Sequence, residues 1–375
     1  MALLLRLFAL GRYGFDGDEI FSLRAAGSTW SHLLVTAVND KSHPPLFYAA
    51  LKLWLMPFPA DETWVRLLSV LFGTALIPVA FAICRRLRLA EGDTVLVLVL
   101  IAVNGELIYY AQHARMFAMF ELSSGISILA FMRFTQAPAS WHAIVLLSAA
   151  NSLMVYSHYW GWMLIAGQFL CVLLGQKAKI GAFVGSTLAV AVAFAPWAIA
   201  VAAAALEQGG ATAQIAWMGA GVPGLVSYAM LLAAMNGEID FDHATSLGTI
   251  LFLAPVAVLL LGYLKRGARG LFDVRAPGYW MLLLAVPLML TSLGSYLAGQ
   301  NLGGTRHLSM IAVPYFVMVG LSLTELSIPG MKTVLRCAIL GWAVAAAAFS
   351  LAETDKDLRW EDIARGIDLQ DPVPV

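Results

Sequence analysis

The sequence predicts an all-α, polytopic membrane protein. Of its 375 residues 60% are hydrophobic and only 12% charged, whereas soluble domains carry about a quarter charged residues. Mean hydropathy is +0.79. Apolar runs near the roughly 20 residues needed to cross a bilayer recur along the chain. Spans built this way must be helical, because lipid offers no partner to an open strand edge. Formal net charge is zero, so nucleic acid is excluded as a partner on charge: phosphate-backbone binding needs a dominant basic surface.

The start, "MALLLRLFAL", has no cationic leader and no small-residue cleavage site, so it reads as a shortened first membrane helix rather than a signal peptide. Segment 13–65 follows and is too long for a simple connector. Its opening "FDGDEIFSL" places Asp16, Asp18 and Glu19 within four positions. Next, "FSLRAAGSTWSHLLVTAVND" has helical periodicity, with Phe21, Leu23, Trp30, Leu33, Leu34 and Val38 forming an apolar stripe suited to a helix lying in the interface. Pro44 and Pro45 cannot sit inside a helix but can begin one. They hold Asp40 and His43 at the entrance of a second interfacial helix, "LFYAALKLW".

Candidate spans lie near 66–84, 94–110, 117–133, 142–158, 160–175, 181–203, 247–264, 277–297, 308–324 and 332–351, about eleven with the start. Residues 1–351 thus form one transmembrane module with 13–65 as its first extracytoplasmic loop, and 352–375 form a short extracytoplasmic tail. Lysine and arginine are retained on the cytoplasmic side. That rule puts inside Arg85, Arg86 and Arg88, then Arg133, Lys177 and Lys179, then Lys265, Arg266, Arg269 and Arg275, then Lys332 and Arg336. The alternate loops fall outside, and with them six of the seven histidines, His32, His43, His113, His158, His243 and His307. Function is therefore expected at that outer face.

Within "NGELIYYAQHARMF", Glu106, Tyr109 or Tyr110, and His113 share one face at helical spacing, and Glu106 in an apolar run marks a polar cavity. Arg115 at the helix mouth carries a permanent cation with a donor fork suited to phosphate. "GGTRHL" sets Arg306 and His307 just before another helix, after two glycines that admit close approach of a ligand. Tyr156, His158, Tyr159, Trp160 and Trp162 read as an aromatic belt. Asp240, Asp242 and His243 resemble a metal cluster but share one loop with no further ligand. Cys84, Cys171 and Cys337 lie far apart with no C-x-x-C spacing and read as packing residues.

The ordered landmarks "DGDEIFSL", "DKSHPPLFYAALKLW", "QHARMFAM", "YSHYWG" and "TRHLSMIAVPYF" resemble those of membrane glycosyltransferases of the GT-C fold. The resemblance is to the bacterial relatives of protein O-mannosyltransferases and lipid A aminoarabinose transferases, glycosyltransferase family 39. It implies a polyprenyl phosphate sugar as donor and an envelope hydroxyl as acceptor, in a multi-pass protein of the bacterial inner membrane with an extracytoplasmic active site. By the same resemblance Asp18 matches the catalytic aspartate and Glu19 its partner. Asp40 and His43 match the second acidic motif, and Arg115 and Arg306 face the lipid-linked phosphate. The family's usual tyrosines after the arginines read here as Phe117 and His307.

Together these residues give a catalytic set of Asp18, Glu19 and Asp40, a phosphate set of Arg115, Arg306 and His307, and a substrate set of His43, Tyr110, His113 and Glu106. The chemistry requires no soluble cofactor; a divalent cation, magnesium or manganese, bridging Asp18 and phosphate is the alternative. The competing class is a transporter or flippase for a lipid-linked sugar, which Asn104, Glu106 and Asn151 keep open.

Overall fold

The computed structural model describes residues 1–136, 140–207, 235, 244–265, 270, 272–302 and 304–353. Helix α1 (Ala2–Leu7) leads into α2 (Gly17–Gly27), α3 (Trp30–Asp40) and α4 (Leu46–Leu55). The bundle follows as α5 (Glu62–Leu87), α6 (Glu91–Val103), α7 (Gly105–Ala111), α8 (Phe117–Gln136), α9 (Trp141–Ser157), α10 (Gly161–Gly175) and α11 (Ile180–Glu207). It closes with α12 (Ala244–Lys265), α13 (Pro277–Ala298), α14 (Ala312–Glu325) and α15 (Pro329–Glu353). No strand occurs among the described residues.

Five segments are each long and apolar enough to cross a membrane: α5, α8, α11 with the short turn before it, α13 and α15. A sixth is the bent pair α6 and α7; α10, α12 and α14 hold shorter apolar stretches. The single span expected at 94–110 is thus two helices meeting at 51°. Asn104 makes the break, leaving the helix at ψ 123° and accepting the Leu107 N–H to cap α7. Buried Arg6 of α1 donates to the Ile101 and Ala102 carbonyls freed there, at 3.2 and 3.1 Å.

The first interfacial helix also divides, into α2 and α3. Thr29 caps α3 by accepting the His32 N–H, so the chain turns before Trp30 and the expected stripe is broken: Leu33 is fully buried while Trp30 and Leu34 are exposed. Helix α2 starts on a reciprocal capping box, in which Asp16 accepts the Glu19 N–H at 2.7 Å and Glu19 accepts the Asp16 N–H at 3.2 Å. Pro45 stands at the N-cap of α4 as expected.

Helix α8 is the most buried span and packs on α5 and α9. A closed polar ring pins α8 to α9 and α10: Ser127 donates to Asn151, Asn151 to Gln168, and Gln168 back to Ser127, at 2.6, 3.1 and 2.7 Å. Asn151 is therefore satisfied within the bundle rather than aimed into a pathway. At the end where Arg133 and Lys177 lie, Lys179 caps the last carbonyls of α8, donating to Phe134 and Thr135. Fully buried Asp93 of α6 is held by Arg336 at 2.5 Å, Lys332 at 3.1 Å and the Thr324 hydroxyl at 2.8 Å. Three of the charges read as cytoplasmic markers, Lys179, Lys332 and Arg336, are thus also structural partners.

Candidate active chamber

The turns at the opposite ends of these helices enclose a cavity of about 810 Å³. Its polar lining comes from five places: Asp18 at the start of α2, residues 40–43 at the end of α3 and the turn after it, Arg115 between α7 and α8, and the pairs His158–Trp160 and Arg306–His307. Its apolar flank is one stripe of α11, Phe194, Ala198, Val201, Ala202 and Ala205, which helical spacing places on one face.

Asp18 is 54% exposed, with its carboxylate 3.8 Å from the Arg115 guanidinium and 3.9 Å from that of Arg306. These separations exceed the 2.7–2.9 Å range typical of charge-assisted hydrogen bonds. The three groups attract one another without closing the space between them. Arg115 is 5% exposed and donates from Nη1 to the Asp18 carbonyl at 3.1 Å and to Ser22 Oγ at 3.4 Å, while its Nε–H has no partner among the described residues. Burial raises Asp40 above the ordinary carboxylate value, against the pull of Arg115. Burial also pushes His43 well below the ordinary histidine value, with His158 and Arg115 adding to the effect. His307 is pushed down to about 3 by burial and by Arg306 beside it.

The structure thus brings together Asp18, Asp40, His43, Arg115, Arg306 and His307. Four other expected site residues do not line the chamber. Glu19 turns inward, 1% exposed, and forms a two-pronged pair with Arg66: Nε donates to Oε1 at 2.8 Å and Nη2 to Oε2 at 2.6 Å. Arg66 also donates to the Leu10, Tyr13 and Gly14 carbonyls, and Glu19 accepts the Ala114 N–H at 2.9 Å. Glu19 therefore ties the turn bearing Arg115 to the helix bearing Asp18. His113 sits behind the chamber with Nε2 3.4 Å from Asp16 and Nδ1 at 2.9 Å from the Tyr109 carbonyl. Burial alone would raise Asp16, but the His113 contact and the Glu19 N–H outweigh it and hold that carboxyl to about 2. Tyr110 packs between His113 and Phe117, and Glu106 lies a turn earlier on α7.

Sequence reasoning missed His158 and Trp160, which face the chamber, and Arg66. The aromatic-rich "YSHYWG" gave no sign of which rings turn inward. Arg66 lies 47 residues from its acid, and only the charge itself, inside an apolar span, signalled it. Among the described residues no group of three or more His, Cys, Asp or Glu is placed to hold a metal ion. Asp240, Asp242 and His243 lie outside the described residues.

No protein-family model matches the chain, and no curated protein matches it at a significant level. Among solved structures it is similar to ArnT from Cupriavidus metallidurans bound to undecaprenyl phosphate, with a TM-score of 0.61 and 13% identity over 94% of this chain and 74% of that one. The apo state of the same protein gives a TM-score of 0.59, again at 13% identity, over 94% and 73%. This likeness is one of fold, and the helical GT-C architecture expected from the sequence is the architecture of the chain.

Proposed function

We propose that this protein is a glycosyltransferase of the family 39 type, transferring a hexosyl or pentosyl group from a polyprenyl-phosphate donor to an acceptor hydroxyl on the extracytoplasmic side of the bacterial inner membrane. One observation carries the reading: a carboxylate and two guanidinium groups from distant parts of the chain meet at 3.8 and 3.9 Å in one chamber flanked by an apolar helix stripe. The undecaprenyl phosphate bound by the structurally similar ArnT supports the choice of donor.

Each group then has a task. Asp18 accepts the proton of the acceptor hydroxyl as that oxygen attacks the anomeric carbon, from the side opposite the phosphate, so the configuration inverts. General-base help of this kind is worth about 10²- to 10⁴-fold. The bond from the anomeric carbon to the phosphate oxygen breaks, and the departing polyprenyl phosphate keeps the electron pair. Arg115 and Arg306 face that developing charge, and preorganised cations are often the largest catalytic contribution. Asp40, at the rim, orients the acceptor. The α11 stripe receives the first isoprene units. Glu19, clamped by Arg66, acts by fixing the spacing between Asp18 and Arg115 rather than by touching substrate. Because the guanidinium pair supplies the positive charge, the reading requires no added cofactor, and turnover is expected to persist in a divalent-ion chelator; loss of turnover that magnesium or manganese restores would contradict this.

The test is incubation of purified protein with a panel of polyprenyl phosphate sugars and envelope extract, followed by mass spectrometry. A new glycoside should form with an equal amount of free polyprenyl phosphate. Movement of intact donor across vesicles without covalent transfer would favour a flippase instead.

A further inference from the structure

The chamber has a wall that the transfer chemistry does not use. His158 is 1% exposed, and its Nδ1 accepts the Trp160 backbone N–H at 3.2 Å. Nδ1 therefore carries no proton, the ring is neutral, and its hydrogen sits on Nε2. That Nε2–H, the Trp160 indole N–H, His43 Nδ1 and His307 Nδ1 are all buried without a partner among the described residues. Buried polar groups are almost always paired in native proteins, so four orphans on one wall call for a ligand. The rings are also mutually packed: His43 lies 5.3 Å from His158, His158 5.5 Å from His307, and Trp160 stacks on His307 at 4.9 Å. The rings thus form one continuous packed wall.

We propose that His43, His158, His307 and Trp160 form the subsite for the transferred sugar, and that this sugar is an uncharged, hydroxyl-rich ring. The assignment rests on the donor reading above. A sugar is one bond from its phosphate, and the wall adjoins the phosphate cations, since His307 follows Arg306 in the chain and both arginines act on His43. Hydroxyl groups donate and accept at once, which suits a surface offering both an N–H and a bare ring nitrogen. An ammonium substituent would meet two guanidinium groups beside that wall. A carboxylate would meet imidazoles held neutral, next to cations already committed to phosphate. The chamber's other charges, Asp18, Asp40 and Lys41, belong to α2, the last residue of α3 and its C-cap; Asp18 is exposed, and Asp40 and Lys41 are half-buried.

The experiment compares affinities of the full-length protein in nanodiscs for four lipids: bare undecaprenyl phosphate, and undecaprenyl phosphate carrying a neutral hexose, a 4-amino-4-deoxypentose or a uronic acid. The neutral donor should bind on the order of 10-fold tighter than the bare lipid, the range of one or two neutral hydrogen bonds, and the charged donors no tighter than it. Trp160→Phe and His158→Phe should each erase most of that gain, roughly 3- to 10-fold, with bare-lipid affinity unchanged. His158→Gln, which keeps an N–H at the Nε2 position, should retain it. Equal binding of bare and neutral donors, preference for a charged sugar, or variants that keep the full gain would overturn the sugar subsite while leaving the donor class intact. Failure of every lipid to bind would instead overturn the donor reading, and the subsite with it.

Discussion

Two acids in this protein each face two cations, and they illustrate opposite uses of the same chemistry. Asp93 is fully buried, with Arg336 at 2.5 Å, Lys332 at 3.1 Å and a threonine hydroxyl at 2.8 Å closing around it. Asp18 is 54% exposed, and its arginines stand off at 3.8 and 3.9 Å with an 810 Å³ chamber before them. The first arrangement is saturated and holds three helices together. The second is loosely spaced and opens on a cavity, which is the condition for acting on a ligand. Separation and solvent, not residue type, distinguish a strut from a site.

The comparison breaks most visibly at the strut. Asp93→Ala would leave Lys332 and Arg336 without their acid, and removing one member of a buried pair costs about 3–5 kcal/mol. A large fall in thermal midpoint in detergent is expected, whereas Asp18→Asn should stay within about 0.5 kcal/mol of the parent, as surface substitutions do. Similar losses in both would erase the distinction. Glu19→Ala should behave like Asp93→Ala, because it orphans Arg66 in the interior. Its turnover should fall along with its stability, and full activity in the folded fraction would remove its positioning role.

A smaller effect sharpens the chamber itself. Arg306→Ala should lower kcat/KM for the donor about 10- to 100-fold, the equivalent of one hydrogen bond to a charged group, while the acceptor KM stays put. Equal changes for both substrates would count against a phosphate contact.

Smallest of all is the pH response of stability. The folded-state value of His307 is about 3, and that of His43 also lies well below the ordinary one. The unfolded chain, with histidine near 6.5, therefore binds protons that the folded chain refuses, so stability is complete above about 6.5 and declines as pH falls toward 3. Asp16, held to about 2, adds stability present above its unfolded value near 4 and lost as pH falls through 2. Thermal midpoints from pH 8 to 3.5 should fall on the acid side of 6.5 and flatten in His307→Gln. A flat parent profile would contradict the buried neutral imidazoles.

Most of the fold was legible because hydropathy and cap residues are local properties. The helices fall within a few residues of the expected spans, Pro45 starts α4, and the landmark loops converge on one chamber. What escaped depends on distant partners. Asp93 follows Glu91 in the first turn of α6, and its three partners lie more than 230 residues away. Glu19 looks identical in sequence to its neighbour Asp18, yet one step of helix rotation, about 100°, sends it into the core toward Arg66. His158 and Trp160 belong to an aromatic-rich turn in which inward and outward rings have the same composition. The break at Asn104 follows from its side chain capping the next helix, a competition that apolar content does not register.

The central claim is that Asp18 serves proton transfer while Arg115 and Arg306 hold phosphate. Its most direct test is to measure, on one preparation of Asp18→Asn in nanodiscs, both undecaprenyl phosphate affinity and sugar transfer. Binding should be retained or strengthened, since a competing anion beside the guanidinium groups is gone, and transfer should fall by about 10²-fold or more. Transfer at the parent rate, or loss of lipid binding in the folded variant, would contradict it.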